Sequence, residues 1–293
     1  PGAVAQGLIW GIMAIGVYLT FRILDIADLT VDGSLGTGGA VCIMLMLSGQ
    51  NVWVAMAGAT AAGMAAGLAT GILHTFMGIP AILAGILTQL GLYSINLKTM
   101  GKANQAINVD KYDLLVSLRF IRKVPFYKNT ILIVAIAIIL LIVVLYWFFG
   151  TELGCSLRAT GCNDKMARAQ GINTDFNRVL GLMISNGLVA LSGAMLCQYQ
   201  GFADINMGRG AIVIGLAAVI IGEAIFGKVF RNFGFKLLAV ALGSIIYYLV
   251  LQVVIWLGID TDLLKLLSAG VVAVFLAIPT WKSRYFSNMG KRG

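Results

Sequence analysis

Charge is what this sequence has least of: Asp, Glu, Lys and Arg together make up 11% of its 293 residues, and 59% are apolar, for a mean hydropathy of +0.93. A soluble globular chain carries about 25% charged residues, and a water-facing surface could not be built from so few. Histidine occurs once, at His74, so no HExxH motif exists, and no Ser-His-Asp or Cys-His arrangement supports hydrolase chemistry. A single histidine is also not a metal site, and His74 reads as a residue at the end of a span. The four cysteines, Cys42, Cys155, Cys162 and Cys197, follow no zinc, redox or disulfide spacing and are read as free thiols. The net charge of +9 suggests nucleic-acid binding, but the basic residues form short clusters beside apolar runs instead of a basic face.

What the chain does have is a succession of apolar runs of about 20 residues, the length that crosses a bilayer as a helix. Lipid leaves no partner for free backbone groups, and the runs lack the alternation of barrel strands, so the fold class is an all-α polytopic transmembrane bundle. Expected spans cover residues 3–21, 35–48, 52–73, 81–97, 131–150, 179–199, 211–227, 235–257 and 263–280, about nine crossings. Pro80 interrupts the third and fourth. The first span follows the start of the sequence with no signal-peptide cleavage pattern and is expected to stay in the membrane. Gly63, Gly67 and Gly71 form a small-xxx-small ladder suited to close helix packing. Trp10, Trp53, Trp147, Trp256 and Trp281 are expected near span ends, as an aromatic belt.

Orientation follows from Lys and Arg. The tail at 281–293 holds four basic residues and no acid, which places it in the cytoplasm. Counting back, the 151–178 segment and the loop with Lys228, Arg231 and Lys236 are cytoplasmic too. The 98–129 stretch is then an external loop, with room for one short surface helix, although its seven basic residues run against the charge rule.

Two segments break the apolar pattern. Residues 22–34 hold Arg22, Asp25, Asp28 and Asp32 at membrane depth, where charges are costly and face a cavity or a partner. On a helix Asp28 and Asp32 would share a face, and Arg22 is near enough in sequence to pair with Asp25 or Asp28. Thr30 and Ser34 add hydroxyls. These residues, with Glu223 at the inner end of its span as a gate or docking contact, are the candidates for the translocation path. The alternative is that Arg22 and the acids only pin a broken helix. The second segment, 151–178, is too long for a mere connection. Asn163 can cap a helix of about seven residues, Asp164 suits its first turn, and Gly171 its left-handed end. Arg168 should project from that helix toward a carboxylate or carbonyl on a partner. Thr174, with Asp175 behind it, marks the next helix start.

The run LRATGCNDKMARAQGI resembles the coupling segment of ABC importer permeases for branched-chain amino acids and sugars. RILDIADLTVDGSLGTGGA is similar to that family's N-terminal signature, in the variant associated with tryptophan and other aromatic amino-acid uptake. The stretch from Ile184 to Gly227 resembles the family's later spans. The resemblance implies a permease in a prokaryotic inner membrane that pairs with itself or, less in favour, with a sister chain. Its partners would be two cytoplasmic ATPases and an external solute-binding protein. Arg158, Gly161, Asn163, Asp164, Arg168 and Gly171 would then serve coupling to the ATPase. The chain itself would need no cofactor, ATP and magnesium being bound by the partner: GEAIFGKV fits a P-loop spacing but has Val229 where the magnesium-binding hydroxyl belongs. Rival readings are an ion-coupled secondary transporter using Asp25, Asp28 and Asp32, and an intramembrane transferase using the same acids.

Overall fold

The computed structural model describes residues 2–107, 112, 114–117, 129–227, 229–230, 232–257 and scattered positions from 266 to 277. Most of the expected ninth span, the tail with Trp281, half of the 98–129 loop, Lys228 and Arg231 lie outside the described residues. The rest is an all-α bundle of eight apolar helices: α1 (Gly2–Tyr18), α2 (Val31–Leu47), α3 (Val52–Thr75), α4 (Ala81–Met100), α5 (Thr130–Phe148), α8 (Thr174–Gln200), α9 (Ala211–Phe226) and α10 (Phe233–Trp256). Between α5 and α8 run two short polar helices, α6 (Glu152–Cys162) and α7 (Asp164–Ala169). Among the described residues six helices are long and apolar enough to cross a membrane, α1 being extended by a π turn at Leu19–Ile23. By length, α2 and α9 fall short: 17 and 16 residues rise only about 25 Å, less than a bilayer core. Within the 98–129 stretch the described residues contain a strand, β1 (Asn104–Ala106), paired antiparallel with β2 (Phe202–Asp204), and no helix falls among its described residues after Met100.

Small residues set the packing. The Gly63–Gly67–Gly71 ladder of α3 lies on α8, where an added Cβ would strike the Asn186 backbone at Gly63, the Leu182 carbonyl at Gly67 and Val179 at Gly71. Around α1 the close approach is sealed by serines that donate to main-chain carbonyls: Ser185 to Gly16 (2.8 Å), Ser192 to Ile9 (2.8 Å) and Ser244 to Gly7 (2.6 Å). Lipid gives no hydrophobic drive between helices, so tight contact and interhelical hydrogen bonds of this kind do the joining.

Trp53, Trp147 and Trp256 sit exposed near helix ends, in keeping with a belt. Trp10 departs from that expectation: it is buried in the middle of α1, with its ring 5.8 Å from that of Tyr248. Its indole fills the α1–α10 interface, which the local sequence does not reveal.

Candidate functional site

Past the π turn the chain leaves helical geometry until Val31, and Asp25 takes φ +56°, an uncommon value for a residue with a Cβ. This break corrects two expectations. Asp28 and Asp32 do not share a helical face, because only Asp32 is in a helix. Arg22 pairs with neither Asp25 nor Asp28 but with Glu223 at the end of α9, Nε donating to Oε1 at 2.9 Å and Nη2 to Oε2. Both charges sit at helix ends, where a half-exposed pair is far cheaper than one inside the bundle.

Asp28 is 3% exposed and has no cationic partner among the described residues. Its Oδ1 accepts from the Thr30 backbone N–H at 2.9 Å and its Oδ2 from Asn186 Nδ2 at 2.7 Å. The Asn186 carbonyl oxygen in turn accepts from Ser34 at 2.6 Å. Alongside, Thr30, Thr70 and Thr88 form a hydroxyl chain with spacings of 2.7 and 2.9 Å. The acid is therefore held by a polar cluster that joins the break, α2, α3, α4 and α8. Asn186, Thr70 and Thr88 were not singled out from sequence, although a polar residue within an apolar span is the signal that finds them.

Asp32, in the first turn of α2, reaches the start of α9: its Oδ2 accepts from Gly210 N and its Oδ1 from Ile212 N, both at 3.0 Å. The two short helices thus begin beside one another within the bundle, opposite Met13 and Val17 of α1 and Asn186 of α8. A carboxylate over the free N–H groups of α9 satisfies donors that lipid cannot, and it suits the positive end of the helix. The approach is tight, since a Cβ on Gly208 would collide with the Asp32 carbonyl oxygen, and Gly210 needs φ +84°.

The 151–178 segment folds as two capped helices. Asn163 caps α7, accepting from Met166 N at 3.0 Å, and Gly171 ends it at φ +80°. The helix ahead of it, α6, is capped by Thr151, and α8 starts at Thr174 with Asn173 as its cap. Arg168 does not simply project: Nε donates to Thr174 Oγ1 at 2.7 Å and Nη2 to Asp175 Oδ1 at 3.0 Å, while Asp164 lies 3.4 Å from both Arg168 and Arg178. A partner carboxylate is thus supplied from within the chain, and α7 is pinned to the start of α8. Arg158 likewise folds inward, donating to the Phe149 carbonyl at 2.7 Å over the ring of Phe233. Gly161 faces the break itself: a Cβ there would run into the carbonyl oxygen of Ile23. A cavity of about 500 Å³ opens where α6, the 24–27 segment and the α3–α4 turn meet, and His74 braces that turn through its Nδ1, 2.8 Å from the Ile79 carbonyl.

A bundle of apolar helices broken after its first helix, with two short helices meeting beside the break and a capped polar element seated on it, is the framework of a polytopic membrane protein. Over residues 2–282 the chain matches the family described as "Branched-chain amino acid transport system / permease component", and it belongs to that family. It is a permease subunit of an ABC importer. The chain is 39% identical over 275 residues to the tyrosine transport system permease protein of Clostridioides difficile, covering 93% of this chain and 88% of that one. It is 36% identical over 279 residues to an uncharacterized protein of Rickettsia prowazekii (94% and 95% covered), and 30% identical over 214 residues to the autoinducer 2 import system permease protein of Yersinia pestis (72% and 58% covered).

Proposed function

We propose that this permease forms the translocation path of an importer for a free amino acid, with an aromatic one such as tyrosine or tryptophan favoured. It works in a prokaryotic inner membrane as a pair of identical chains, takes solute from an external binding protein, and is driven by two cytoplasmic ATPases that bind ATP and magnesium. The relative from Clostridioides difficile, similar over nearly its whole length, supports the solute class. In this reading the end of the bundle carrying α6 and α7 faces the cytoplasm, and the end carrying β1 and β2 faces outward.

The observation that carries the drive mechanism is the seating of α6 on the break. Movement imposed on α6 and α7 by an ATPase meets Ile23 through Gly161 without slack, and interiors so close-packed transmit displacement instead of absorbing it. From Ile23 the displacement passes to the Asp28 cluster and to Asp32 at the start of α9, while the Arg22–Glu223 pair ties together the inner ends of α1 and α9. Opening and closing the path then amounts to moving two short helices whose N-termini already meet.

The ion-driven alternative has less to stand on, since Asp28 and Asp32 are each met by two donors of the chain's own. Reconstitution in vesicles with the ATPase and binding protein separates the two. Uptake that follows ATP on the ATPase side and ignores an imposed ion gradient supports the importer, and uptake that follows the gradient without ATP overturns it.

A further inference from the structure

Beside the Asp28 cluster, but separate from it, a second cavity of about 230 Å³ lies between α2, α4 and the 205–210 turn. Its walls combine Asp32, Gln89, Leu90, Tyr93, Asn96 and Arg209. Asn96 is 2% exposed, and among the described residues nothing donates to or accepts from its side-chain amide, whose nitrogen packs over Gly36. With the residue 2% exposed and no partner for its amide among the described residues, the amide can be satisfied only from the cavity it lines.

Arg209 supplies the second pointer. It precedes Gly210, whose N–H sits 3.0 Å from the Asp32 carboxylate, yet the guanidinium makes no ion pair or side-chain hydrogen bond among the described residues. Two opposite charges thus line one cavity without neutralising each other. The fork of Arg209 matches a carboxylate, which it can hold through two parallel hydrogen bonds. Each oxygen of Asp32 accepts one backbone N–H and has a lone pair left for a cationic donor. Leu90 and Tyr93, 64% and 43% exposed, offer an apolar and aromatic wall next to these charges.

We propose that this cavity is a solute-recognition site for a zwitterionic amino acid: Arg209 takes the α-carboxylate, Asp32 the α-ammonium, Asn96 and Gln89 the remaining polar edges, and Tyr93 with Leu90 an aromatic or apolar side chain. The inference rests on the importer reading above and adds to it where the solute is read. It also gives Asp32 a second task, since the same carboxylate holds the start of α9 and so senses whether the cavity is filled.

The test is equilibrium binding of radiolabelled L-tyrosine to the purified permease–ATPase complex without binding protein, with uptake by the complete system measured in parallel. L-Tyrosinamide, which lacks the carboxylate, and 3-(4-hydroxyphenyl)propionate, which lacks the ammonium, serve as competitors. The wild-type complex is expected to bind tyrosine and to prefer it over either competitor by about tenfold or more, the worth of one charge-assisted contact. In Arg209→Gln the preference for tyrosine over tyrosinamide should vanish while preference over the propionate persists. Asn96→Leu, with assembly checked by size-exclusion chromatography, should weaken tyrosine binding at unchanged charge. Retained wild-type affinity and selectivity in Arg209→Gln, or normal tyrosine uptake by a wild-type complex that binds no tyrosine, overturns the site. A wild-type system that takes up no amino acid at all fails the importer's solute assignment instead.

Discussion

Asp28 and Asn186 are 158 positions apart in sequence, yet the Asn186 amide donates to the Asp28 carboxylate across 2.7 Å in a place shielded from water. Neither can be changed alone without consequence. In Asp28→Asn two amides meet, and a donor is left facing a donor; an unmade buried hydrogen bond of this kind costs about 1–3 kcal/mol. Asn186→Asp instead sets two carboxylates together. The double exchange Asp28→Asn with Asn186→Asp restores acceptor to donor, and Ser34 still finds an acceptor. We expect each single variant to melt lower in detergent and to lose uptake, and the double variant to recover most of both. Additive losses would mean that the pair is not the unit holding the break to α8.

The Arg22–Glu223 pair should behave differently, because it is half-exposed at the helix ends. Its contribution to stability is expected to be below about 1 kcal/mol, so Arg22→Glu should leave the melting temperature nearly unchanged. Uptake should fall, since the inner ends of α1 and α9 would now repel, and the exchange Arg22→Glu with Glu223→Arg should restore it. A large loss of stability in the single variant would assign the pair to folding and not to movement.

Sidedness can be read from thiols. Cys155 and Cys162 are exposed on α6, whereas Cys42 and Cys197 are buried in the bundle. With the buried pair replaced, a membrane-impermeant maleimide should leave intact cells unlabelled and label inverted membrane vesicles. Labelling of intact cells would reverse the orientation of the whole bundle.

Much of this was legible in the sequence, for identifiable reasons. Apolar runs as long as the bilayer is thick announce helices, and Asn163 and Gly171 announce a short capped helix between them, because caps act within a few residues. The features that escaped depend on partners far along the chain. Arg22 finds Glu223 201 positions away, and Asp32 finds the start of α9 178 to 180 positions away; local spacing suggested Asp25 and Asp28 instead. The helix α6 escaped for a related reason: ELGCSLRATGC has two glycines that disfavour an isolated helix. They are explained only by what presses on them, the Phe148–Phe149 backbone at Gly154 and Ile23 at Gly161. Trp10 looked like an interface anchor until the α1–α10 contact placed it inside.

In the proposed drive mechanism Gly161 passes motion from the ATPase to the break after α1. A methyl at that position has no room, and overpacking of this kind costs about 1–3 kcal/mol, which the contact can relieve only by separating α6 from Ile23. Solute-stimulated ATP hydrolysis by the assembled complex carrying Gly161→Ala measures this directly, with the ATPase content of each preparation quantified alongside. The account predicts a complex that keeps its full complement of ATPase subunits but loses most of the stimulation by solute-loaded binding protein. A complex with full ATPase content and wild-type stimulation would contradict it.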